Sequence, residues 1–246
     1  MKSTKLVNAL VDQLMDMGMP LTASSLEEIY QSDRFTKIDH LTFLSELIEK
    51  EYQDKVSKRL NNRLRAANLI NCPQELTECR NSSDREYLPT GITERLSDLS
   101  FIKNGMNLCI LGASDSGKTY LAKAIGIKEC LNYRVLYTHC GAFLEALAAL
   151  KAKDHEKYST TLKKALRMDL IILDDFLLHT VNDEDEVKIL FTILEGRTEA
   201  MKSTIICSQR DPRSWKSMIM NDEVSTNAIM KRVTKHYTVA INYKVE

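Results

Sequence analysis

Apolar side chains in the first 66 residues recur at the spacing of an amphipathic helix. The clearest stripe steps by three or four positions, with charged residues on the opposite face. Its members are Leu41, Leu44, Ile48, Tyr52, Val56, Leu60 and Leu64. Glycine, which weakens helices, occurs only once before position 91, at Gly18. The pattern predicts a small, all-helical N-terminal domain over residues 1–70.

A polar, turn-rich stretch follows and predicts a linker over residues 71–95. Beyond it, short apolar runs alternate with segments long enough for helices. The five runs cover residues 106–111, 134–137, 170–173, 203–207 and 237–241. Such alternation is typical of a parallel sheet with crossover helices. We therefore predict an α/β domain with a five-stranded parallel sheet over residues 96–246.

Composition and charge narrow the class of protein only slightly. The 246 residues carry 34 basic and 34 acidic side chains, so the net charge does not indicate a nucleic-acid partner. The charge is uneven, since segment 50–65 holds six basic and two acidic residues while segment 169–195 holds eight acidic residues and one lysine. No apolar run approaches the roughly 18 residues of a membrane span, and the N-terminus lacks an export signal. We expect a cytoplasmic protein that does not enter a membrane.

The segment 112–119 fits the phosphate-loop pattern G-x-x-x-x-G-K-[ST] at every fixed position. It follows a strand-like run and opens a helical one, and its two glycines let backbone N–H groups face phosphate oxygens at the positive end of a helix. Lys118 would reach the β- and γ-phosphates of ATP, and Thr119 would offer its hydroxyl to Mg²⁺. The residues predicted to bind the nucleotide are Gly112, Ala113, Ser114, Asp115, Ser116, Gly117, Lys118, Thr119 and Tyr120.

The apolar run 170–173 ends in two acidic residues, Asp174 and Asp175. A buried strand that ends in an acidic residue is what a Walker B magnesium site requires. We expect Asp174 to bind Mg²⁺ together with Thr119, and Asp175 to orient or deprotonate the attacking water as a general base. The acidic pair alone would equally suit the N-cap of the next helix. The phosphate loop upstream favours the magnesium site.

Three further residues are candidates for catalysis. Ser208 and Gln209 follow the run 203–207, where a polar side chain would lie beside the γ-phosphate and sense hydrolysis. Arg232 lies on a predicted amphipathic helix. An exposed arginine is usually only a solvated residue, but in an oligomeric ATPase it can stabilise transition-state charge on a neighbour's γ-phosphate. We predict these three residues and Asp175 as the catalytic set.

Together these pieces resemble a known family. The phosphate loop GASDSGKTYLAKAIG, the strand DLIILDDF, the strand STIICSQRD and the segment SWKSMIMNDEVSTNAIMKRV are similar in order and spacing to the IstB-like transposition helper ATPases. The helix FLSELIEKEYQDKVSKRLNNRLRAANL resembles the basic helix that precedes the ATPase core in that family. These are AAA+ proteins of the same clade as the DnaC-type helicase loaders. The resemblance covers about residues 40–240.

The resemblance implies a P-loop NTPase core of the AAA+ type, with ATP and Mg²⁺ as cofactors. The resemblance also assigns family roles to the residues named above. Residues 112–119 match the nucleotide loop, and Asp174 and Asp175 match the acidic pair. Ser208 and Gln209 lie at the sensor position, and Arg232 matches the candidate arginine finger. Proteins of this family form ATP-dependent oligomers on duplex DNA and deliver target DNA to the transposase encoded beside them. The implied partners are therefore double-stranded DNA, a cognate transposase and further copies of the chain.

This chain departs from the family pattern at three places. Asp115 stands where relatives usually have a small neutral residue, and a carboxylate there opposes phosphate by charge. Gln209 stands where asparagine is usual. Only ten residues follow His236, so we expect an ATPase core without a large C-terminal lid. Arg232 would then have to act in trans.

Contacts to DNA are expected from two basic segments. The first comprises Lys55, Lys58, Arg59, Arg63 and Arg65, and the second covers residues 151–167. Phosphate contacts of this kind give affinity without sequence preference and weaken as salt rises. The first segment is equally compatible with a solvated helix face. Because no helix-turn-helix or zinc pattern indicates base recognition, we expect little sequence specificity.

Two other classes of protein use the same kind of core. A replicative helicase loader would carry a zinc-binding or helicase-docking N-terminus, and residues 1–66 show neither feature. A small-molecule kinase would need a substrate lid and arginine clamps after the third strand, where this chain has the acidic run 183–186. The sequence favours an ATP-regulated transposition helper, with the helicase loader as the alternative.

Overall fold

The computed structural model describes residues 2–219 and 223–243. The chain divides into a helical unit, Met1–Asn62, and a sheet unit, Arg63–Glu246. The strands are β1 (Arg85–Leu88), β2 (Leu108–Gly112), β3 (Val135–His139), β4 (Leu170–Asp174), β5 (Ser203–Ser208) and β6 (Tyr237–Tyr243). The α-helices are α1 (Lys2–Asp16), α2 (Pro20–Gln31), α3 (His40–Ala66), α4 (Ile92–Leu96), α5 (Ser100–Lys103), α6 (Lys118–Glu129), α7 (Cys140–Lys153), α8 (His155–Arg167), α9 (Glu184–Glu199) and α10 (Glu223–Thr234). Short 3₁₀ helices cover Leu76–Glu78 and Pro212–Met218.

The helical unit contains α1, α2 and most of α3, as the apolar stripe predicts. Its small core consists of Leu26, Ile29 and Leu47, with further apolar side chains packed against them. The buried carboxylate of Glu51 accepts hydrogen bonds from the backbone N–H of Leu21 at 2.9 Å and of Thr22 at 3.3 Å. Because the first N–H groups of a helix lack partners within it, this carboxylate caps α2 and ties it to α3.

The sheet unit is built on six strands in the order β1-β6-β2-β5-β4-β3. Strands β2 to β6 pair in parallel and coincide with the five predicted runs, so the α/β fold class is confirmed. A sixth strand, β1, lies at the edge and pairs antiparallel with β6. The sequence misses β1 because the strand has only four residues and Tyr87 alone is buried, so it contains no apolar run.

The segment 71–95, predicted as a linker, contributes directly to the sheet unit. It contains β1, the first 3₁₀ helix and the start of α4. The register pairs Arg85 with Tyr243 and Leu88 with Ala240. The segment therefore places side chains at the edge of the sheet, and the sheet unit itself begins at Arg63.

Packing in the sheet unit follows from its buried strands. Every residue of β4 and of β5 is buried. Alternate residues of a strand point to the same face, and Ile171 and Leu173 share a core cluster with Leu144 of α7, Leu190 of α9 and Ile229 of α10. None of the helices in the described part of the chain is long and apolar enough to cross a membrane.

Arg197, in the last turn of α9, is a fully buried cation. Its guanidinium donates to the carbonyl oxygens of Ala165 at 2.9 Å, Met168 at 2.8 Å and Ser203, and Nε donates to Thr204 Oγ1 at 3.1 Å. Burial lowers the pKa of Arg197 to about 9. The four hydrogen bonds compensate a buried charge that would otherwise be costly, and they join α8, α9 and β5.

Asp169 ties together the amino ends of neighbouring strands. Its carboxylate accepts hydrogen bonds from Arg134 Nε at 3.0 Å and from Lys202 Nζ at 2.6 Å. Burial acts to raise the pKa of Asp169, but these hydrogen bonds outweigh burial and hold the pKa well below its usual range.

The carboxyl ends of three neighbouring strands meet at one edge of the sheet. Because β2, β5 and β4 are adjacent and parallel, their last residues Gly112, Ser208 and Asp174 lie along that edge. Open α/β sheets bind ligands beyond the carboxyl ends of their strands. The candidate site lies there.

Candidate active site

The chain between β2 and α6 folds as the predicted phosphate loop. A Cβ atom on Gly112 would lie 2.5 Å from Ser116 Oγ and 2.6 Å from the carbonyl oxygen of Ile241, so no larger residue fits there. Gly117 caps α6 with φ of +102°, a conformation that other residues rarely adopt. The backbone geometry therefore requires both glycines of the motif.

Hydrogen-bond donors collect around this loop. Lys118 Nζ donates to the carbonyl oxygen of Ala113 at 2.5 Å, and burial lowers the pKa of the lysine. Ser116 is fully buried, and among the described residues its Oγ has no hydrogen-bond partner. An unpaired buried hydroxyl is costly unless a ligand or water pairs with it. The ammonium group and the N–H groups at the start of α6 fit the oxygens of a polyphosphate.

Oxygen atoms suited to Mg²⁺ meet beside the loop. Thr119 Oγ1 donates to Asp174 Oδ2 at 2.8 Å, and Asp174 is the buried last residue of β4. Tyr137 donates its hydroxyl to the same Oδ2 at 2.7 Å, and the backbone N–H of Asp175 donates to Oδ1 at 3.0 Å. Carboxylate and hydroxyl oxygens are ligands that Mg²⁺ prefers. The structure thus brings together the two residues predicted to hold the metal.

Asp175 directly follows Asp174 and has a left-handed backbone conformation, with φ of +52°. Its Oδ2 lies 2.9 Å from His139 Nδ1. Its carboxylate lines the same cavity as Lys118 and Gln209, and 36% of the side chain is exposed. A solvent-accessible carboxylate held by a second residue suits the predicted general base.

The loop and the acidic pair border a cavity of about 410 Å³. The residues that line it are Arg85, Ser114, Asp115, Gly117, Lys118, Thr119, Tyr120, Asp175 and Gln209. Six of them belong to the predicted nucleotide loop. Gly112, Ala113 and Ser116 belong to the same loop but do not line the cavity.

The two predicted sensor residues have different positions. Ser208 is fully buried, and its Oγ donates to the carbonyl oxygen of Phe176 at 2.8 Å and accepts from the N–H of Arg210 at 3.1 Å. It braces the loop that follows β4 and does not line the cavity. Gln209 follows the end of β5 and does line the cavity. The geometry thus favours Gln209 over Ser208 as the residue beside a γ-phosphate.

Arg232, predicted to act in trans, is bound within its own chain. Its Nη2 donates to Glu195, Nη1 donates to the carbonyl oxygen of Ala228 at 2.9 Å, and Cζ lies 5.0 Å from the ring centre of Phe191. The side chain does not line the nucleotide cavity. To reach a neighbouring subunit, Arg232 would have to leave Glu195.

Three residues of the site escape the sequence analysis: Arg85, Tyr137 and His139. Tyr137 and His139 lie on β3, whose register places His139 beside Asp174 of β4. Burial and the hydrogen bond to Asp174 raise the pKa of Tyr137, so its hydroxyl remains a donor. A polar residue at the end of a strand is a weak signal by itself, since only the strand order shows which strand neighbours β4.

Comparison with known proteins places this chain among ATP-binding proteins. The model of the family described as IstB-like ATP binding protein matches residues 12–244. The insertion sequence ATP-binding protein y4uH of Sinorhizobium fredii (strain NBRC 101917 / NGR234) is 31% identical over 221 residues, 89% of this chain and 86% of that protein. The insertion sequence IS21 ATP-binding protein of Pseudomonas aeruginosa is 26% identical over 223 residues, 90% of this chain and 81% of that protein.

Solved structures show the same fold at low sequence identity. The replication initiator DnaA bound to AMPPCP and single-stranded DNA superposes with a TM-score of 0.57 at 20% identity, over 71% of this chain and 51% of that chain. The DnaC helicase loader superposes with a TM-score of 0.54 at 18% identity, over 70% of this chain and 98% of that chain. At this level of identity the likeness shows a shared fold. Since the family model spans both units of the chain, the protein belongs to the IstB-like ATP-binding proteins.

Proposed function

We propose that this protein is a magnesium-dependent ATPase that oligomerises on duplex DNA with little sequence preference and presents target DNA to a partner transposase. The observation that carries the enzymatic part is the cluster of Thr119, Asp174 and Asp175 beside the phosphate loop. The transposition part is supported by the relatives, which are ATP-binding proteins of insertion sequences.

Each residue of the site has its own task in the proposed hydrolysis of ATP. Lys118 and the N–H groups of the loop bind the phosphates and balance their charge. Thr119 and Asp174 would hold Mg²⁺, which when bound would supply positive charge to the phosphate oxygens. Asp175 orients a water molecule and accepts its proton while the water oxygen bonds to the γ-phosphorus and the bond to ADP breaks. His139 orients the Asp175 carboxylate.

The first basic segment is less available to DNA than its sequence suggests. Lys55 and Lys58 pair with Glu51 at 3.7 Å and Asp54 at 2.8 Å, one turn earlier on α3. These acidic neighbours reduce the positive charge of that face. Arg63, in the sheet unit, donates to backbone carbonyls just after α6 and so caps that helix. Exposed positive charge remains at Arg59 and Arg65.

Helix α8 supports DNA binding better. Lys163, Lys164 and Arg167 are exposed near its C-terminal end, and within the described ranges of the chain none of them forms an ion pair. Spacings of three and four residues place Arg167 on the same helix face as both lysines. A row of cations of this kind fits the phosphates of a duplex without contacting bases.

The test is binding to a labelled random-sequence duplex, with and without ATP and Mg²⁺, at two salt concentrations. We expect binding that depends on ATP and weakens at the higher salt. Joint substitution of Lys163, Lys164 and Arg167 by alanine should reduce the salt slope of log affinity by about 0.9 for each DNA phosphate that these side chains neutralise. The matched control is Lys188→Ala on α9, which removes an exposed lysine already paired with Glu184 at 2.7 Å.

Two outcomes would contradict the proposal. Preference for single strands, or absence of DNA binding with ATP bound, would favour the alternative of a replicative helicase loader, whose fold this chain shares. For the nucleotide, Lys118→Ala should abolish ATP binding while circular dichroism shows an intact fold. Undiminished ATP binding in that variant would refute the role of the phosphate loop.

A further inference from the structure

Arg85 brings a second cation to the phosphate loop from the edge of the sheet. It lies on β1, which the sequence does not predict as a strand. Its guanidinium packs on Gly117, with Cζ 3.2 Å and Nε 3.3 Å from the position of a Cβ atom at that glycine. Arg85 and Lys118 line the same 410 Å³ cavity.

The guanidinium of Arg85 shares a hydrogen bond with Tyr87 but keeps a further donor, Nε. Among the described residues, its Nε is buried and has no hydrogen-bond partner. Its neighbours Tyr87 and Cys79 are neutral, because burial raises the pKa of Tyr87 to about 12 and of Cys79 to about 11. The positive charge of Arg85 acts to lower both pKa values, against the effect of burial. Because both side chains remain uncharged, neither of them cancels the charge of Arg85.

The charges that line the cavity show why a second cation matters. Asp115 and Asp175 contribute two negative charges, and Lys118 contributes one positive charge. Without Arg85 the lining would carry a net negative charge, which opposes a polyphosphate. With Arg85 the lining is neutral before any metal binds.

We propose that Arg85 is a nucleotide-binding residue whose guanidinium donates to the phosphates of the bound nucleotide and offsets the carboxylate of Asp115. The inference rests on the proposed nucleotide binding of the phosphate loop. Arg85 contacts Gly117 in the part of the loop whose N–H groups surround the α- and β-phosphates. Because ADP and ATP both carry α- and β-phosphates, Arg85 would contact either nucleotide. Guanidinium groups suit this task because their fork of donors matches phosphate oxygens.

The test is titration of the full chain with a fluorescently labelled ADP and the corresponding ATP. Arg85→Ala should weaken binding of both nucleotides about tenfold, the decrease expected when a charge-assisted hydrogen bond is removed. Asp115→Asn should strengthen binding several-fold, and Arg85→Ala should cost less in that background because the two charges interact. The matched control is Arg80→Ala, which removes an exposed arginine outside the cavity and should leave both affinities unchanged.

The outcomes separate this inference from the proposed function. If the unchanged protein binds neither nucleotide, the proposed function fails and this inference fails with it. If the unchanged protein binds but Arg85→Ala binds equally well, or loses no more affinity than Arg80→Ala, only the role of Arg85 is refuted. If Arg85→Ala does not fold, Arg85→Gln retains the packing on Gly117 without the charge, and the same comparison applies to it.

Discussion

Tyr137→Phe tests whether the candidate metal site depends on a residue behind its ligands. The Tyr137 hydroxyl donates to Asp174 Oδ2 at 2.7 Å, the same oxygen that accepts from Thr119 at 2.8 Å. The substitution removes a single oxygen atom and keeps the aromatic ring. The Asp174 carboxylate then keeps the hydrogen bonds from Thr119 Oγ1 and from the N–H of Asp175.

The expected effect follows from the strength of that hydrogen bond. A hydrogen bond to a charged group contributes about 1.5–3 kcal/mol. If the whole of it serves to fix the carboxylate, its removal corresponds to a factor of about 10 to 150, since about 1.4 kcal/mol is tenfold in an equilibrium constant. Groups that orient metal ligands typically change metal affinity by about 10- to 100-fold. We therefore expect the Mg²⁺ concentration for half-maximal ATP turnover to rise at least about tenfold in Tyr137→Phe.

The assay is phosphate release from ATP as Mg²⁺ is varied, with thermal unfolding to show that the variant is folded. Turnover at saturating Mg²⁺ should recover most of its original value, because Tyr137 does not line the cavity. Tyr133→Phe, in the turn after α6, removes a hydroxyl outside the cavity and should leave the Mg²⁺ dependence unchanged. An unchanged or lower half-saturating Mg²⁺ concentration in Tyr137→Phe would refute the reasoning.

Three further predictions concern other parts of the molecule. His139→Ala should lower ATP turnover about tenfold, because Asp175 loses the residue that orients it. ATP affinity should stay within about twofold, since no phosphate contact changes. A tenfold decrease in ATP affinity would contradict this prediction. If Arg232 acts in trans, Arg232→Ala should abolish most ATP turnover and keep ATP binding, whereas Glu195→Ala should keep turnover. Equal decreases of turnover in the two variants would instead assign Arg232 to the ion pair within its own chain. Asp169→Asn should lower the free energy of unfolding by about 1–3 kcal/mol at pH 7. Since the folded pKa of Asp169 is lowered, its stabilisation is present above the unfolded value of 3.8 and is lost as pH falls through the folded pKa, so urea unfolding of the variant should show a weaker pH dependence below about 4.

The parts of the site that the sequence predicts are local in the chain. The phosphate loop lies in one stretch from Gly112 to Thr119, and the acidic pair follows a single apolar run. The five parallel strands are visible for the same reason, since a buried strand needs a continuous apolar run. For these features, residue type and spacing along the chain are enough to indicate the chemistry.

The missed residues depend on which strands are neighbours. Tyr137 and His139 reach the acidic pair because β3 lies beside β4, and Arg85 reaches the phosphate loop because β1 pairs with β6 at the other side of β2. Neither adjacency follows from periodicity. Ser208 and Gln209 differ in a way that the sequence does not show, since β5 ends at the buried Ser208 and Gln209 follows the strand and lines the cavity.

The position of Arg85 also changes the meaning of Asp115. Within the motif alone, a carboxylate in the loop predicts weaker binding of a polyphosphate. In the folded chain, Asp115 and Arg85 line the same cavity although 30 residues separate them in the sequence. The charge that a nucleotide meets is therefore set by two segments together, the phosphate loop and an edge strand outside the motif. It follows that nucleotide affinity in this protein should respond to substitution of Arg85 in β1 as well as to substitution of Asp115.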